Sequence, residues 1–430
     1  MMVSRRNYPV AVPFAMIGIV FAQYEQLGHA FTMIQASGSD SRTCTLSNNY
    51  QLGRRLTSCI ASATMTDCPP IVDDDSANSP FSQLYGNTLV SVETIASLTQ
   101  VQQQLLEQDD ARRTTSSKIV FVDGSWYHRP DPITNLPRNP SRDFISGPRL
   151  PSARYLDIDA LSTSHELFPN DNPKKLPHMM PPPTLFSLAM DAYNICNEDH
   201  VIVYARRGAL FTPRIWFLFH SMGHDVRRLH IMQGSLEDYV EVGGVVDTGE
   251  YHHSTTVMGE RYIDCFDRGI LNVTRLYQEH STTTIPRYSV GVPSAMNICN
   301  KDAVLEALSN GDVENKNTVI IDTRGSGYAK KGHMPNAIHL PYSLIATPTN
   351  ALMIQPVSVL KKLFEDRGID YLDPSMQIIL SCGSGVSVCH GYLALKELGR
   401  NITEENTLIY DGLWAEWGSD DDLPKIIPVK

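Results

Sequence analysis

The stretch Gln377-Ile-Ile-Leu-Ser-Cys382-Gly383-Ser384-Gly385-Val386-Ser387-Val388-Cys389-His390 changes character twice. It opens as a short apolar run, passes through a loop of small residues and continues in a helix-like pattern. A strand that feeds a tight Gly/Ser loop and then a helix gathers backbone N–H groups around the hinge and aims the positive helix end at it. The hinge residue here is Cys382. That setting favours the thiolate, which is the nucleophilic form of cysteine. Such a sulfur can attack, carry and release a second sulfur, and it is expected to be reachable from solvent.

Outward from this loop, the chain repeats itself. The second copy runs Val319-Ile-Ile-Asp322, His333-Met-Pro-Asn-Ala337, the stretch above with a helix to Gly399, then Thr407-Leu-Ile-Tyr410 and Gly412. The first runs Val120-Phe-Val-Asp123, Arg149-Leu-Pro-Ser-Ala153, His200-Val-Ile-Val-Tyr204 with a loop and the helix-like Pro213 to Gly223, then Leu229-His-Ile-Met232 and Gly234. Short strands rich in Val and Ile alternate with amphipathic segments such as Pro356 to Arg367, which Gly368 would cap. The fold class is therefore α/β, with two tandem domains, each a parallel sheet flanked by helices. Ligands of such sheets gather at the carboxyl ends of strands, where Cys382 lies.

The expected division is 1–85 as a targeting and disordered leader, 86–245 as a first domain, 246–292 as an interdomain linker and 293–425 as a second domain. Length supports two cores: 430 residues exceed one comfortable core. The net charge of -11 argues against nucleic acid or an anionic membrane as the main partner. Eight cysteines lie scattered without CxxC or Cys/His spacing, so neither a metal site nor a disulfide framework is indicated. The adjacent His252 and His253 in the linker read as solvated loop residues.

At the N-terminus, Arg5 and Arg6 precede an apolar run from Val10 to Ala22, and Gly28-His29-Ala30 precedes Phe31. Ala36 to Met65 is then rich in Ser and Thr, with Asp40 as its one acid. The pair imitates a signal peptide followed by a transit peptide, pointing to a plastid; a mitochondrial presequence and a signal anchor are the alternatives. The apolar run is short for a membrane span, and no membrane association is expected of the mature form.

In its motifs the chain resembles the two-domain rhodanese-type sulfurtransferases, closest to the 3-mercaptopyruvate sulfurtransferases. Cys382-Gly-Ser-Gly-Val-Ser387 is similar to the family's active loop Cys-Gly-Ser-Gly-Val-Thr, and Tyr410-Asp-Gly-Leu-Trp-Ala-Glu-Trp417 to the segment that follows it. Asp123-Gly-Ser-Trp-Tyr127, Leu176-Pro-His-Met179 and Pro213-Arg-Ile-Trp216 match in the first copy. The resemblance implies two rhodanese-like domains and transfer of a sulfane sulfur from 3-mercaptopyruvate or thiosulfate to a thiol, cyanide or thioredoxin-like acceptor through a Cys382 persulfide. It implies no cofactor. Thiosulfate-preferring relatives carry basic residues directly after the cysteine; Gly383 and Ser384 stand there, which suits a less charged donor.

By the same resemblance, the amides of Gly383, Ser384, Gly385, Val386 and Ser387 would hold the persulfide, and the Ser384 and Ser387 hydroxyls would orient sulfur or relay a proton. Arg324 would grip the donor carboxylate, the alternative being a mere pairing with Asp322. Three departures stand out. The segment after Arg324 is short and offers Lys330 and Lys331 in place of a further arginine. Arg149 stands where the family's first-domain histidine is expected. Ala205 replaces cysteine in the first copy, with Arg206 and Arg207 either lent to an anion or merely solvated. Cys389, His390, Trp414 and Trp417 read as packing residues. A rhodanese-fold phosphatase is disfavoured because Cys-x5-Arg is lacking; position 388 is Val. A non-catalytic module that senses redox state or binds a partner is the rival reading.

Overall fold

The computed structural model describes residues 20–23, 30–33, 81–108, 118–131, 133–251, 258–291, 296–309, 318–348, 350 and 352–427. The chain divides into two compact units, Met1–Thr64 and Met65–Lys430. In the first, strands β1 (Val20–Gln23) and β2 (Ala30–Met33) pair antiparallel. The rest of the leader up to residue 80, and the His252-His253 pair, lie outside the described residues, while Phe81 and Leu84 are buried in the core of the first half. Among the described residues no helix is long and apolar enough to cross a membrane.

The second unit contains two parallel five-stranded sheets. One is built from β3 (Leu89–Ser91), β4 (Ile119–Asp123), β5 (Arg154–Tyr155), β6 (His200–Tyr204) and β7 (Leu229–Gln233), in the order β3-β7-β6-β4-β5. A small hairpin, β8 (Phe266–Asp267) with β9 (Ile270–Leu271), follows. The other sheet uses β10 (Ile298–Cys299), β11 (Thr318–Asp322), β12 (Ile338–His339), β13 (Gln377–Ser381) and β14 (Thr407–Tyr410), in the order β10-β14-β13-β11-β12. The two orders are the same, strand for strand.

The register extends the repeat to single residues. Asp123 lies opposite Tyr204, and Asp322 opposite Ser381, so Ala205 and Cys382 occupy the same place after their strands. Arg149 and His333 are equivalent too, each forming an isolated antiparallel bridge, to Asp247 and to Ile426. Every residue of β4 and β6 is buried, as the unbroken apolar runs of sheets covered on both faces require. Helix Val357–Glu365 ends two residues short of the expected Arg367, and Gly368 just beyond it takes φ +69°.

One apolar core runs through both halves, from Val120 to Leu413. Its bridge is the pair of helices that follow the two equivalent loops, Thr212–Ser221 and Val388–Glu397. Phe217 meets Tyr392 edge-on at 4.8 Å, and the Tyr392 hydroxyl lies 3.0 Å from His220 Nε2. Edge-on aromatic pairs of this kind add about 0.5–1.5 kcal/mol to the burial itself. This packing seats the Cys382 loop against the first half.

Candidate active site

Strand β13 delivers Cys382 to the start of a loop that turns through Gly385 into helix Val388–Glu397. Gly385 sits at φ +90°, and a Cβ there would lie 3.3 Å from both the His178 carbonyl oxygen and Leu413 Cδ1, so glycine is required twice over. Its N–H donates to Cys382 Sγ at 3.2 Å. The Trp414 and Ala415 amides donate to the Cys382 and Gly383 carbonyls at 2.9 and 3.1 Å, pinning the loop from outside. Gly383, Ser384 and Ser387 are half-buried and Val386 is buried.

The sulfur differs from expectation in its exposure: Cys382 is only 1% exposed. A segment of the first half packs on the same loop. His178 Nδ1 donates to the Ser384 carbonyl at 2.8 Å, and His178 Nε2 lies 2.5 Å from Asp159 Oδ1. Both neighbours are oxygen acceptors. The segment is held firmly: Arg214 Nη2 donates to the His178 carbonyl at 2.7 Å, and the Met180 N–H reaches both Asp411 carboxylate oxygens at 3.2 and 3.1 Å. His178 itself adopts a left-handed φ of +55°, a conformation that persists only where neighbours hold it. Burial works to raise the Asp159 carboxyl, but the His178 ring and the Trp126 indole N–H hold it below its ordinary value.

These contacts correct the reading of Arg149. The histidine of the first half that reaches the loop is His178, and Asp159 contacts its far nitrogen. Arg149 is a buried structural residue whose guanidinium donates to the carbonyls of Phe144, Ile145, Gly147, Gly249 and Glu250. The motif Leu176-Pro-His-Met179 carried the signal, but the histidine within it had been given no role.

Arg324 pairs with Asp322, as the second reading of it expected. Its Nε donates to Asp322 at 3.0 and 2.9 Å, and Nη2 donates to Asp322 at 2.6 Å and to the Gly332 carbonyl at 2.8 Å. The guanidinium also stacks 4.3 Å over Trp414. Nη1 is buried without a partner, and the arginine's Cδ is the nearest neighbour that a Cβ on Gly383 would meet, at 3.9 Å. A buried N–H with nothing to bind is aimed at a ligand or is destabilising. Lys330 and Lys331 are exposed.

The equivalent loop of the first copy is closed. Arg206 Nη2 donates to the Pro148 carbonyl at 2.6 Å and its Nε faces Asp123 at 3.5 Å. Arg207 pairs with Asp238 at 2.7 Å and Glu241 at 3.1 Å. Leu352 from the second half packs on Ala205 and Ala209. Both arginines are thus engaged by the protein. Cys389 is fully buried, its thiol pushed up to about 12 by burial, and His390 is buried between Phe211 and Tyr342. Both are packing residues, as is Trp417.

A cleft of about 700 Å³ opens nearby between the halves, lined by Lys174, Met179, Cys299, Lys301, Asp411 and Glu416 among others. It does not include Cys382.

The Rhodanese-like domain family model matches residues 287–420. The chain is 28% identical over 298 residues to the 3-mercaptopyruvate sulfurtransferase of Escherichia coli (strain K12), covering 68% of this chain and 88% of that one. It is 26% identical over 317 residues to thiosulfate/3-mercaptopyruvate sulfurtransferase 1, mitochondrial, of Arabidopsis thaliana, covering 71% and 73%. Its fold is that of two solved structures at 22% identity. SseA from Escherichia coli aligns with TM-score 0.52 over 76% of this chain and 99% of its own. The Tum1 protein from Saccharomyces cerevisiae aligns with TM-score 0.53 over 78% and 97%. The chain thus carries a rhodanese-like domain over residues 287–420, and its likeness to 3-mercaptopyruvate sulfurtransferases over 68–71% of its length supports a sulfurtransferase enzyme.

Proposed function

We propose that this sulfurtransferase takes sulfur from 3-mercaptopyruvate, with thiosulfate a poorer donor, and passes it through a persulfide on Cys382 to a thiol, cyanide or a thioredoxin-like protein. The observation that carries the reading is the Gly385 amide donating to Cys382 Sγ at a strand-to-helix hinge. In the first step Sγ attacks the donor sulfur and the donor's C–S bond breaks. Its electron pair passes to the pyruvate enolate, which takes up a proton. His178, braced by Asp159, is the proton source nearest the loop. Arg324 Nη1 anchors the donor carboxylate as one half of a charge-assisted contact. In the second step the acceptor attacks the outer sulfur, the S–S bond breaks, and its electrons return to Sγ.

Hydrogen bonds to the anionic sulfur contribute roughly 1.5–3 kcal/mol each. Ser384 and Ser387, half-buried at the loop rim, orient donor or acceptor. Because Cys382 is buried, the donor enters as the His178 contact to Ser384 opens. The domain limits at 86–245 and 293–425, with 246–292 joining them, are proposed on the same basis. An organelle, mitochondrion or plastid, is the proposed location; the Arabidopsis relative's name supports the former.

The test is pyruvate release from 3-mercaptopyruvate with cyanide as acceptor, compared with thiocyanate formation from thiosulfate. Release that disappears in Cys382→Ser supports the reading; none with either donor contradicts it. The burial of Cys382 favours one rival, a non-catalytic module in which that cysteine is a concealed redox sensor. Reaction with peroxide but with neither sulfur donor would establish it.

A further inference from the structure

The segment that joins the two sheets brings together three side chains that the transfer chemistry does not use. Cys265 ends the turn Glu260–Cys265, and Glu279 and His280 end helix Val273–His280. One donor atom from each lies within 4.8 Å of the others. The geometry points to a divalent transition-metal site, with zinc the fitting ion. Thiolate, imidazole and carboxylate are the ligands zinc takes, at about 2.0–2.3 Å, with three protein ligands and one open position a common arrangement.

The neighbours are disposed to support an ion. Cys265 is buried, while Glu279 is exposed and His280 half-buried, so one side stays open to water. The Thr284 hydroxyl lies 3.3 Å from His280 Nδ1, and Tyr262 packs edge-on against the ring at 4.8 Å, so its orientation is set. Arg275 Nε holds Glu279 Oε1 at 2.8 Å and its Nη1 donates to the Asp264 carbonyl, leaving the second carboxylate oxygen for the ion. Outer contacts of this kind orient ligands in metal sites. The Asn272 N–H donates to the Cys265 carbonyl, closing the β8/β9 hairpin between turn and helix. An ion would therefore staple a stretch whose ends are separated by fourteen residues or more. That spacing is why cysteine counting gave no sign of it.

The same turn is anchored to the first sheet domain, since the Tyr262 hydroxyl donates to the buried Asp191 at 3.2 Å. Metal binding would thus stiffen the connection between the halves without touching the sulfur chemistry.

The test titrates cobalt(II), then zinc, into the full chain carrying Cys382→Ser, which removes the loop thiolate of the transfer chemistry. The proposal expects one equivalent of cobalt with a thiolate-to-metal charge-transfer band, displaced by zinc. The band is lost in Cys265→Ser, and affinity falls by at least about tenfold in His280→Ala and Glu279→Gln. No band in the folded protein, or one that survives Cys265→Ser, overturns it. Should Cys265→Ser fail to fold, the other two variants decide: both sit at accessible positions, and unchanged cobalt affinity in each overturns the site.

Discussion

His178 Nδ1 lies 2.8 Å from the carbonyl oxygen of Ser384, although 206 residues separate the two in the chain. The contact joins the first half to the sulfur loop beside the buried Cys382. Asn tolerates a left-handed backbone well, so His178→Asn removes the ring with little disturbance of φ. Loss of a positioned proton donor is expected to lower kcat by roughly 10²–10⁴-fold. Iodoacetamide should meanwhile alkylate Cys382 faster than in the parent, measured by peptide mass spectrometry. A slower turnover without faster alkylation would separate the chemical role from the packing one.

Arg324 neutralises the buried Asp322 while keeping Nη1 free. Arg324→Ala leaves a buried carboxylate alone, and removing one partner of a buried pair costs about 3–5 kcal/mol, to be read from urea unfolding. Arg324→Lys retains charge but not the fork. It is expected to fold and to raise KM for 3-mercaptopyruvate by about tenfold or more, equivalent to at least ~1.4 kcal/mol.

Gly385→Ala places a methyl against the His178 carbonyl at a φ that L-residues rarely adopt. The expected destabilisation is about 1–3 kcal/mol, with the amide swung away from Sγ. Denaturant unfolding and a rate assay should therefore both register the change, whereas Gly368→Ala, also at positive φ but in open space, should spare activity.

Acid should loosen the first half. Burial lowers His224 and His230 from 6.5 to about 4, against an ordinary value regained on unfolding. Below 6.5 the unfolded chain binds protons that the folded one refuses, so stability is full above about 6.5 and falls as pH drops toward 4. The gap amounts to roughly 3 kcal/mol per imidazole at most. Unfolding free energy measured from pH 7.5 to 4.5 should decline, and His224→Gln should flatten the decline.

Local signals made much of this molecule readable. The apolar run into Cys382, the small-residue loop and the helix beyond it specify the hinge, and the repeated order of strands specifies Ala205 as its counterpart. Gly368 announced a helix end because only a positive φ needs it there. What escaped notice depends on distant contacts. His178 belongs to a connection, between Tyr155 and Pro183, that is longer than its counterpart between His339 and Val357, and the family's histidine was expected instead at Arg149, whose equivalent in the second copy is His333. The His178 segment is held by Arg214 and Asp411, contacts across the chain that no local pattern records.

The most direct test mixes the full chain with 3-mercaptopyruvate, without acceptor, and weighs the intact protein and its peptides. The account predicts the added mass of one sulfur atom on the peptide bearing Cys382, removed by cyanide and absent in Cys382→Ser. An unmodified Cys382 after exposure to 3-mercaptopyruvate and to thiosulfate, in protein shown to be folded, would contradict it.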